Sequence, residues 1–550
     1  MAPGAGERAG PGPAKKDASA AGLRLTWPLM SHALSQVLSQ ALQVLRRLAF
    51  LARAAALALV ALGACPPSLG ADPKPSPKPS APQTDGAFHK VILDTDRDQD
   101  GDGQPEDTVV NPMEIAVAPD GRVFFIERAG LLKVWDPKTR ATTVAGTLKV
   151  YTELEDGLLG IALDPKFART SWIYLFYSMP ETPVDPDGHK TGVNRVSRFT
   201  LRGGTLDLAS EKVLLSIPTQ RDQCCHSAGS LAFDAAGNLY AATGDNTHPG
   251  ESDGYSPIDE RPRRESWNAQ KSASNANDLR GKILRIHPEP DGTATIPAGN
   301  LFPKGSPGTR PEIYVMGNRN PFRISVDRAT GHLYWGEVGP DAGGPNDQWG
   351  PAGFDEINQA RAAGNFGWPY FGGDNRPYHR YDFASRQSGE AWDAAHPVNP
   401  SRLNTGPAEL PPAQPAFLWY PYGASTRFPA VGNGGRTACA GPVYRYDERS
   451  TSPNRLPREY DRTLFIYEWS RNWIIAVHLD EDHRIAKGPD GRLLMERFCP
   501  GMTFMRPMDL EIGPDGCLYV LENGSAWVGN RDTQLVRIEH RPDAGRPARP

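Results

Sequence analysis

The 550-residue chain carries a formal net charge of −4, with 60 Lys and Arg against 64 Asp and Glu, and so lacks the basic stripe that a nucleic-acid partner demands. Its 53 prolines and 56 glycines suit many short strands joined by turns. With no long amphipathic helical pattern after residue 90, an all-β protein is expected.

Residues 1–71 read as a leader. Arg46-Arg47 precedes an Ala/Leu/Val run from Ala54 to Ala64, the length of a signal-peptide core and too short to span a bilayer. Leu62-Gly63-Ala64-Cys65 resembles a lipobox, whose cysteine is lipidated after cleavage; cleavage after Ala71 would instead leave Cys65 in the discarded peptide. Residues 72–86 include the stiff, extended spacer Pro73 to Pro82. An exported protein is expected, periplasmic or on the outer surface, touching a membrane only through an anchor at Cys65. In that oxidising compartment Cys224, Cys225, Cys439, Cys499 and Cys517 are permitted to pair, and their odd number leaves at least one unpaired. Cys224 and Cys225 either close a vicinal ring or pair elsewhere. Residues 87–540 form the folded domain, and 541–550 a disordered tail.

At the start of that domain, Asp96, Asp98, Asp100, Asp102, Glu106 and Asp107 alternate around Gly101, the spacing of a calcium loop or of an acidic, solvated linker. One pattern then recurs: an apolar strand, a Pro-Asp-Gly-like turn, a second apolar strand ending in an aromatic or acidic group. It runs from Ile115 to Ile126, Ile161 to Phe176, Leu231 to Ala242, Ile324 to Trp335 and Leu510 to Leu521, with a degenerate copy at Thr463 to Tyr467 and Ile474 to Asp480. Following segments such as Leu132–Trp135, Val196–Phe199, Gly281–Ile286 and Gln534–Ile538 supply further strands. A four-stranded sheet buries little alone, so six copies are stable only when stacked around an axis, as in a six-bladed β-propeller. The gaps between copies widen after the second, and the long inter-strand insertions they imply are expected to be functional.

Polar clusters stand at the ends of these hairpins. The hairpin Ser230 to Phe233 and Asn238 to Thr243 places His226 and Cys224-Cys225 near Asp245 and Asn246. Glu155-Asp156 leads into the second copy. Arg319-Asn320-Pro321 follows the strand Ile313-Tyr-Val; the proline fixes the backbone of Asn320, and Arg319 offers a planar fork to an anionic or quinoid oxygen. Gly339-Pro340 supplies turn carbonyls, and Asp355-Glu356 carboxylates, of the kind that calcium prefers. Arg506 opens the last hairpin.

Taken in order, Glu-Asp-Gly-Leu-Leu-Gly-Ile-Ala, Cys-His-Ser-Ala-Gly-Ser-Leu-Ala-Phe, Thr-Gly-Asp-Asn, Leu-Arg-Gly-Lys-Ile-Leu-Arg-Ile, Gly-Asn-Arg-Asn-Pro, Asp-Glu-Ile-Asn and Asn-Phe-Gly-Trp-Pro resemble the glucose/sorbosone dehydrogenase family. Its members are soluble six-bladed quinoproteins that use pyrroloquinoline quinone (PQQ) and calcium. The resemblance runs from about residue 88 to 540. It implies that His226 is the general base for a sugar hydroxyl, a task a neutral imidazole suits near pH 7. It makes Arg319 and Asn320 contacts to the quinone oxygens, and Arg506 a contact to a cofactor carboxylate. Gly339 and Pro340 become backbone ligands of a calcium ion acting as Lewis acid, and Asp355 with Glu356 a second, structural calcium site. The chain departs from soluble glucose dehydrogenases at Glu155 and Asn246, where they have Gln, at Cys225, where they have Asp, and at Ser470 and Met508, where they have Lys and Arg; Arg471 is the candidate substitute for the lost lysine. The activity implied is oxidation of an aldose-type sugar, with electrons passed to an external acceptor. The other readings are a non-catalytic propeller that binds carbohydrate or protein, and a calcium-dependent lactone hydrolase, which needs several acidic or amide side chains converging on one ion at the axis.

Overall fold

The computed structural model describes residues 83–98, 108–527 and 529–542. The leader, Cys65, most of the proline spacer, Asp100 to Asp107 of the acidic loop and most of the tail lie outside the described residues.

Six antiparallel sheets surround a common axis, each contributing an innermost strand. In chain order these are Pro112–Val117, Leu158–Leu163, Ala228–Phe233, Pro321–Asp327, Ala438–Tyr444 and Pro507–Ile512. Each packs on the next, and the sixth packs on the first, closing the ring of a six-bladed β-propeller. Neighbouring blades cover both faces of a sheet, so the second strands Val123–Glu127 and Leu518–Glu522 are buried at every residue. Continuous apolar runs therefore replace the alternation of a half-exposed sheet. The Pro-Asp-Gly-like turns form as the sequence predicts. Gly121, Gly237 and Gly516 take φ of +85°, +84° and +72°, the left-handed position that a short hairpin requires of its glycine.

Two features differ from the sequence reading. The Thr463 and Ile474 segments are the second and third strands of blade 5, not its inner hairpin; the innermost strand is Ala438–Tyr444. Its Ala-Cys-Ala-Gly-Pro sequence carries no β-branched signal, and its pairing shifts register between Ala440 and Val443, across Gly441-Pro442. Second, the outer strand of blade 6 comes from the other end of the chain: Phe88–Thr95 pairs with Gln534–His540, with Phe88 opposite His540 and Thr95 opposite Gln534. Buried Lys90 fastens this closure, its Nζ lying 2.8 Å and 3.0 Å from the two carboxylate oxygens of Glu522.

All the predicted site residues fall at one end of the propeller, where the innermost strands begin. Long insertions extend from the outer parts of blades 3 and 4, where 361–417 bring a parallel bridge (Gly364–Asn365 on Val315–Met316) and two small hairpins. Among the described residues helix is limited to Phe167–Thr170 and a few three-residue turns.

Candidate active site

His226 stands two residues before the inner strand of blade 3, in a turn that also takes Ala228 into the left-handed region, with φ of +64° and +51°. Non-glycine residues seldom adopt such angles unless the surroundings enforce them. Here blade 2 does so: Glu155 Oε2 accepts from the backbone N–H of His226 at 2.7 Å and of Ser227 at 3.3 Å, and buried Asp156 accepts from the Ser227 hydroxyl at 2.9 Å. Cys224 and Cys225 are joined as a vicinal disulfide just upstream. Gly244 is needed across the turn, because a Cβ there would lie 2.0 Å from the His226 carbonyl oxygen.

The imidazole is 5% exposed, and its Nδ1 lies 2.6 Å from Asp245 Oδ1. That carboxylate also accepts from Thr247 N at 3.0 Å and, through Oδ2, from the Trp368 indole N–H at 2.8 Å. An ionised carboxylate only accepts, so Nδ1 carries the proton and the lone pair resides on Nε2, which has no partner among the described residues. The Asp245 N–H donates to the Arg319 carbonyl at 2.8 Å. Glu155, His226, Asp245 and Arg319 are thereby linked by direct contacts across three blades.

Arg319 and Asn320 precede the inner strand of blade 4, and Glu337, the last residue of the second strand, accepts from both backbone N–H groups, from Asn320 at 2.7 Å. The Arg319 guanidinium donates to the Val338 carbonyl at 2.9 Å and to Asp341 at 3.2 Å. Around it lie polar atoms that are sealed from solvent and unpaired: Asn320 Oδ1, both ends of the Asn318 amide, Glu337 Oε2 and Asn358 Oδ1. Glu356, directly opposite Glu337 in the strand pair, accepts from Gly373 N at 2.5 Å and Asn358 Nδ2 at 3.0 Å. Burial first, then the charge of Glu356, push the Glu337 carboxyl well above the usual range, and burial pushes Glu356 up to about 7. Buried carboxylates and an orphaned amide oxygen are a hard-oxygen donor set that a divalent cation would satisfy.

Four of the expected contacts have protein partners instead. The Asp355 oxygens accept from Gly339 N at 3.1 Å and Ala438 N at 2.9 Å, and its counter-charge is Arg436, with Nη1 3.4 Å away. The Pro340 carbonyl is not bare, because Arg436 Nη2 donates to it at 2.6 Å, and it is so close to Gly353 that a Cβ there would sit 1.7 Å from the oxygen. Gly339 lies in the same turn and packs on the Phe354 carbonyl. Arg471 does not replace the missing lysine: it donates to the carbonyls of Pro421, Val431, Gly432, Gly434 and Gly435, and so holds the loop 421–435 in place. Asn246 spends its amide on the Gln220 backbone, accepting from N at 2.7 Å and donating to O at 3.2 Å.

Arg506 falls outside these contacts. Its guanidinium carbon lies 4.5 Å from the Trp469 ring and 5.7 Å from Trp527, with Nε buried and unpaired. Sequence reasoning also passed over three positions. Trp368 was legible only as part of a motif, Arg436 has no flanking pattern, and the terminal Glu337 is one of four such glutamates, with Glu127, Glu468 and Glu522. On the axis, the fully buried Arg323 donates to the carbonyls of Met113, Met508 and Phe322, which puts a guanidinium at the centre.

The Glucose / Sorbosone dehydrogenase family model matches residues 109–406, more than half of the chain. The chain is 25% identical over 429 residues to an aldose sugar dehydrogenase of Escherichia coli, covering 76% of this chain and 89% of that one. It is 24% identical over 454 residues to quinoprotein glucose dehydrogenase B of Acinetobacter calcoaceticus, covering 78% and 87%. Among solved structures, the apo form of the soluble Escherichia coli aldose sugar dehydrogenase superposes with a TM-score of 0.53 at 19% identity, covering 82% of this chain and all of that one. At that identity the likeness bears on the fold alone.

Proposed function

The chain belongs to the glucose/sorbosone dehydrogenase family, and on that premise we propose that it is an exported quinoprotein that oxidises an aldose-type sugar with PQQ as cofactor and an external electron acceptor. The observation that carries this reading is His226, fixed at Nδ1 by Asp245 at 2.6 Å and with Nε2 left unpaired. A base so held accepts the proton of the sugar hydroxyl on Nε2 as hydride leaves the same carbon, and Asp245 stabilises the imidazolium that results. When bound, the quinone supplies the two-electron acceptor. Arg319, Asn320 and Arg506 are the residues that would hold it, and the buried, unpaired Nε donor of Arg506 supports that assignment. Calcium would be held by Glu356 with Glu337 and the Asn358 amide oxygen; the buried, unpaired Glu337 Oε2 and Asn358 Oδ1 favour a cation there. The lactone hydrolase reading loses support because its central ion would share the axis with the Arg323 guanidinium.

The test is reconstitution of the purified protein with PQQ and calcium, followed by dye reduction with a panel of aldoses. Turnover that His226→Ala abolishes is expected. Absence of turnover with every sugar, or an unchanged His226→Ala variant, discards the proposal.

A further inference from the structure

Beside the His226 turn lies a cleft of about 1190 Å³ between the outer strands of blade 2 and the blade 3 insertion. Pockets of roughly 300–1,000 Å³ enclose drug-sized ligands, so a single hexose would leave most of this one empty. Thr219 and Arg280 face both the cleft and the small hollow against His226, and Arg280 also reaches Asn246 at 3.4 Å. Trp267 lines the wall, braced by its indole N–H on His248 at 3.2 Å and by the Arg264 guanidinium 3.8 Å from its ring. Aromatic walls of this kind suit the C–H faces of sugar rings.

The lining holds four acids against Lys190, Arg263, Lys271 and Arg280, but their pairing is uneven. Its acids are largely engaged: Asp222 pairs with His189 at 2.6 Å, Glu265 with Arg402 at 3.1 Å, and Asp185 accepts from the backbone N–H groups of Asp187 and His189. By contrast Lys190, Arg263 and Lys271 form no ion pair with any described residue, against Asp185 and Asp187 as the acids without a cationic partner, Arg280 being paired with Asp278 at 2.5 Å. Lys271 is the telling member, half-buried and without a hydrogen bond from its ammonium to any described residue. A half-buried ammonium with no protein partner, at the wall of a cleft, is placed to receive an anionic group.

We propose that this cleft binds a saccharide longer than one ring that carries an anionic group, a carboxylate or a phosphate, seated on Lys271 with its reducing end toward His226. The placement of the reducing end rests on the proposed sugar oxidation; the binding itself does not. Burial, then the Arg280 charge, push the Lys271 ammonium down to about 8, against Asp278, Glu265 and Asp222, which pull it back. Anion affinity should therefore be full at pH 7 and fall as pH rises through about 8.

The experiment is calorimetric titration of the full-length protein with trigalacturonate, glucose 6-phosphate and neutral maltotriose, in the native chain, Lys271→Gln and Trp267→Ala. Trigalacturonate is expected to bind at least tenfold more tightly than maltotriose at pH 7. Lys271→Gln should remove that preference and its pH dependence, and Trp267→Ala should weaken both saccharides. A stronger response to glucose 6-phosphate, a single ring, than to trigalacturonate would overturn the requirement for a longer saccharide. Equal affinity for charged and neutral saccharides, or an unchanged Lys271→Gln variant, overturns the proposal. Binding as expected in a protein that oxidises no sugar leaves the cleft assigned and removes the catalytic reading alone.

Discussion

Replacing Asp245 by Asn probes the base most directly, because the carboxylate serves three donors at once: His226 Nδ1, Thr247 N and the Trp368 indole N–H. An amide can serve only part of this set. If its oxygen faces His226 and Thr247, the NH₂ meets the Trp368 donor head-on; if it is turned, the NH₂ donates to Nδ1, and the imidazole must carry its proton on Nε2, where it is no longer a base. Even in the first orientation the imidazolium formed during oxidation has no counter-charge. Two unit charges about 4 Å apart at an effective dielectric of about 20 interact by about 4 kcal/mol, and a neutral hydrogen bond returns about 1 kcal/mol of that. The net of about 3 kcal/mol corresponds to a fall in kcat of roughly 10²- to 10³-fold. The assay is steady-state dye reduction by cofactor-loaded protein, with a C1-deuterated sugar to establish that the chemical step is being read. The expected signature is a loss in kcat with KM nearly unchanged and an isotope effect that persists or grows. A variant within about threefold of the native kcat refutes the assignment of Asp245 as the group that fixes the base.

Lys90→Met leaves the fully buried Glu522 carboxylate without its cation and should cost about 3–5 kcal/mol, seen as a fall in urea midpoint; the double variant with Glu522→Leu should recover much of it, and a single-variant loss below 1 kcal/mol contradicts the closure. Burial, then the Asp355 charge, push buried Glu468 up to about 8, against Arg471. Because the native state holds this proton longer than the unfolded chain, the stability it contributes is full below about pH 4.5 and is lost as pH rises toward 8, at up to about 1.4 kcal/mol per pH unit; Glu468→Gln should flatten that slope. Cys439, Cys499 and Cys517 are buried free thiols whose ionisation burial opposes, so alkylation followed by peptide mapping should label them only in denaturant. Arg436→Ala should free the Pro340 carbonyl, and a gain of one calcium per chain over the native protein in equilibrium dialysis with cofactor present would verify that the guanidinium fills that position.

The propeller was legible because its signals are local. Ile115 to Ile126 or Leu510 to Leu521 carries strand, turn glycine and strand within a dozen residues. What escaped was non-local or weakly coded. Phe88–Thr95 acquires meaning only from a partner more than 400 residues away, and Ala438–Tyr444 is a central strand built from small residues and a proline. The site divides in the same way. His226 with Asp245 followed from a single hairpin, whereas the fate of Pro340, Asp355 and Arg471 depended on Arg436 and on the loop 421–435, whose positions no spacing reveals.

That division has a physical basis in how the rim is built. In blades 1, 4 and 5 the second strand ends in a glutamate that accepts from backbone N–H groups at or just before the start of the inner strand: Glu127 from Val110, Glu337 from Arg319 and Asn320, Glu468 from Thr437. Blade 3 ends its second strand in Thr243 instead, with the hydroxyl donating to the Leu279 carbonyl at 2.6 Å. The N–H groups of its turn are therefore served from blade 2 by Glu155, and the acid that follows Thr243, Asp245, is free to turn to the imidazole. One missing cap thus places a carboxylate behind His226 and obliges another blade to hold the turn. Glu155→Gln should accordingly weaken the turn without touching the imidazole: a shift in thermal midpoint, with the pH profile of kcat preserved, separates that role from direct participation in the chemistry.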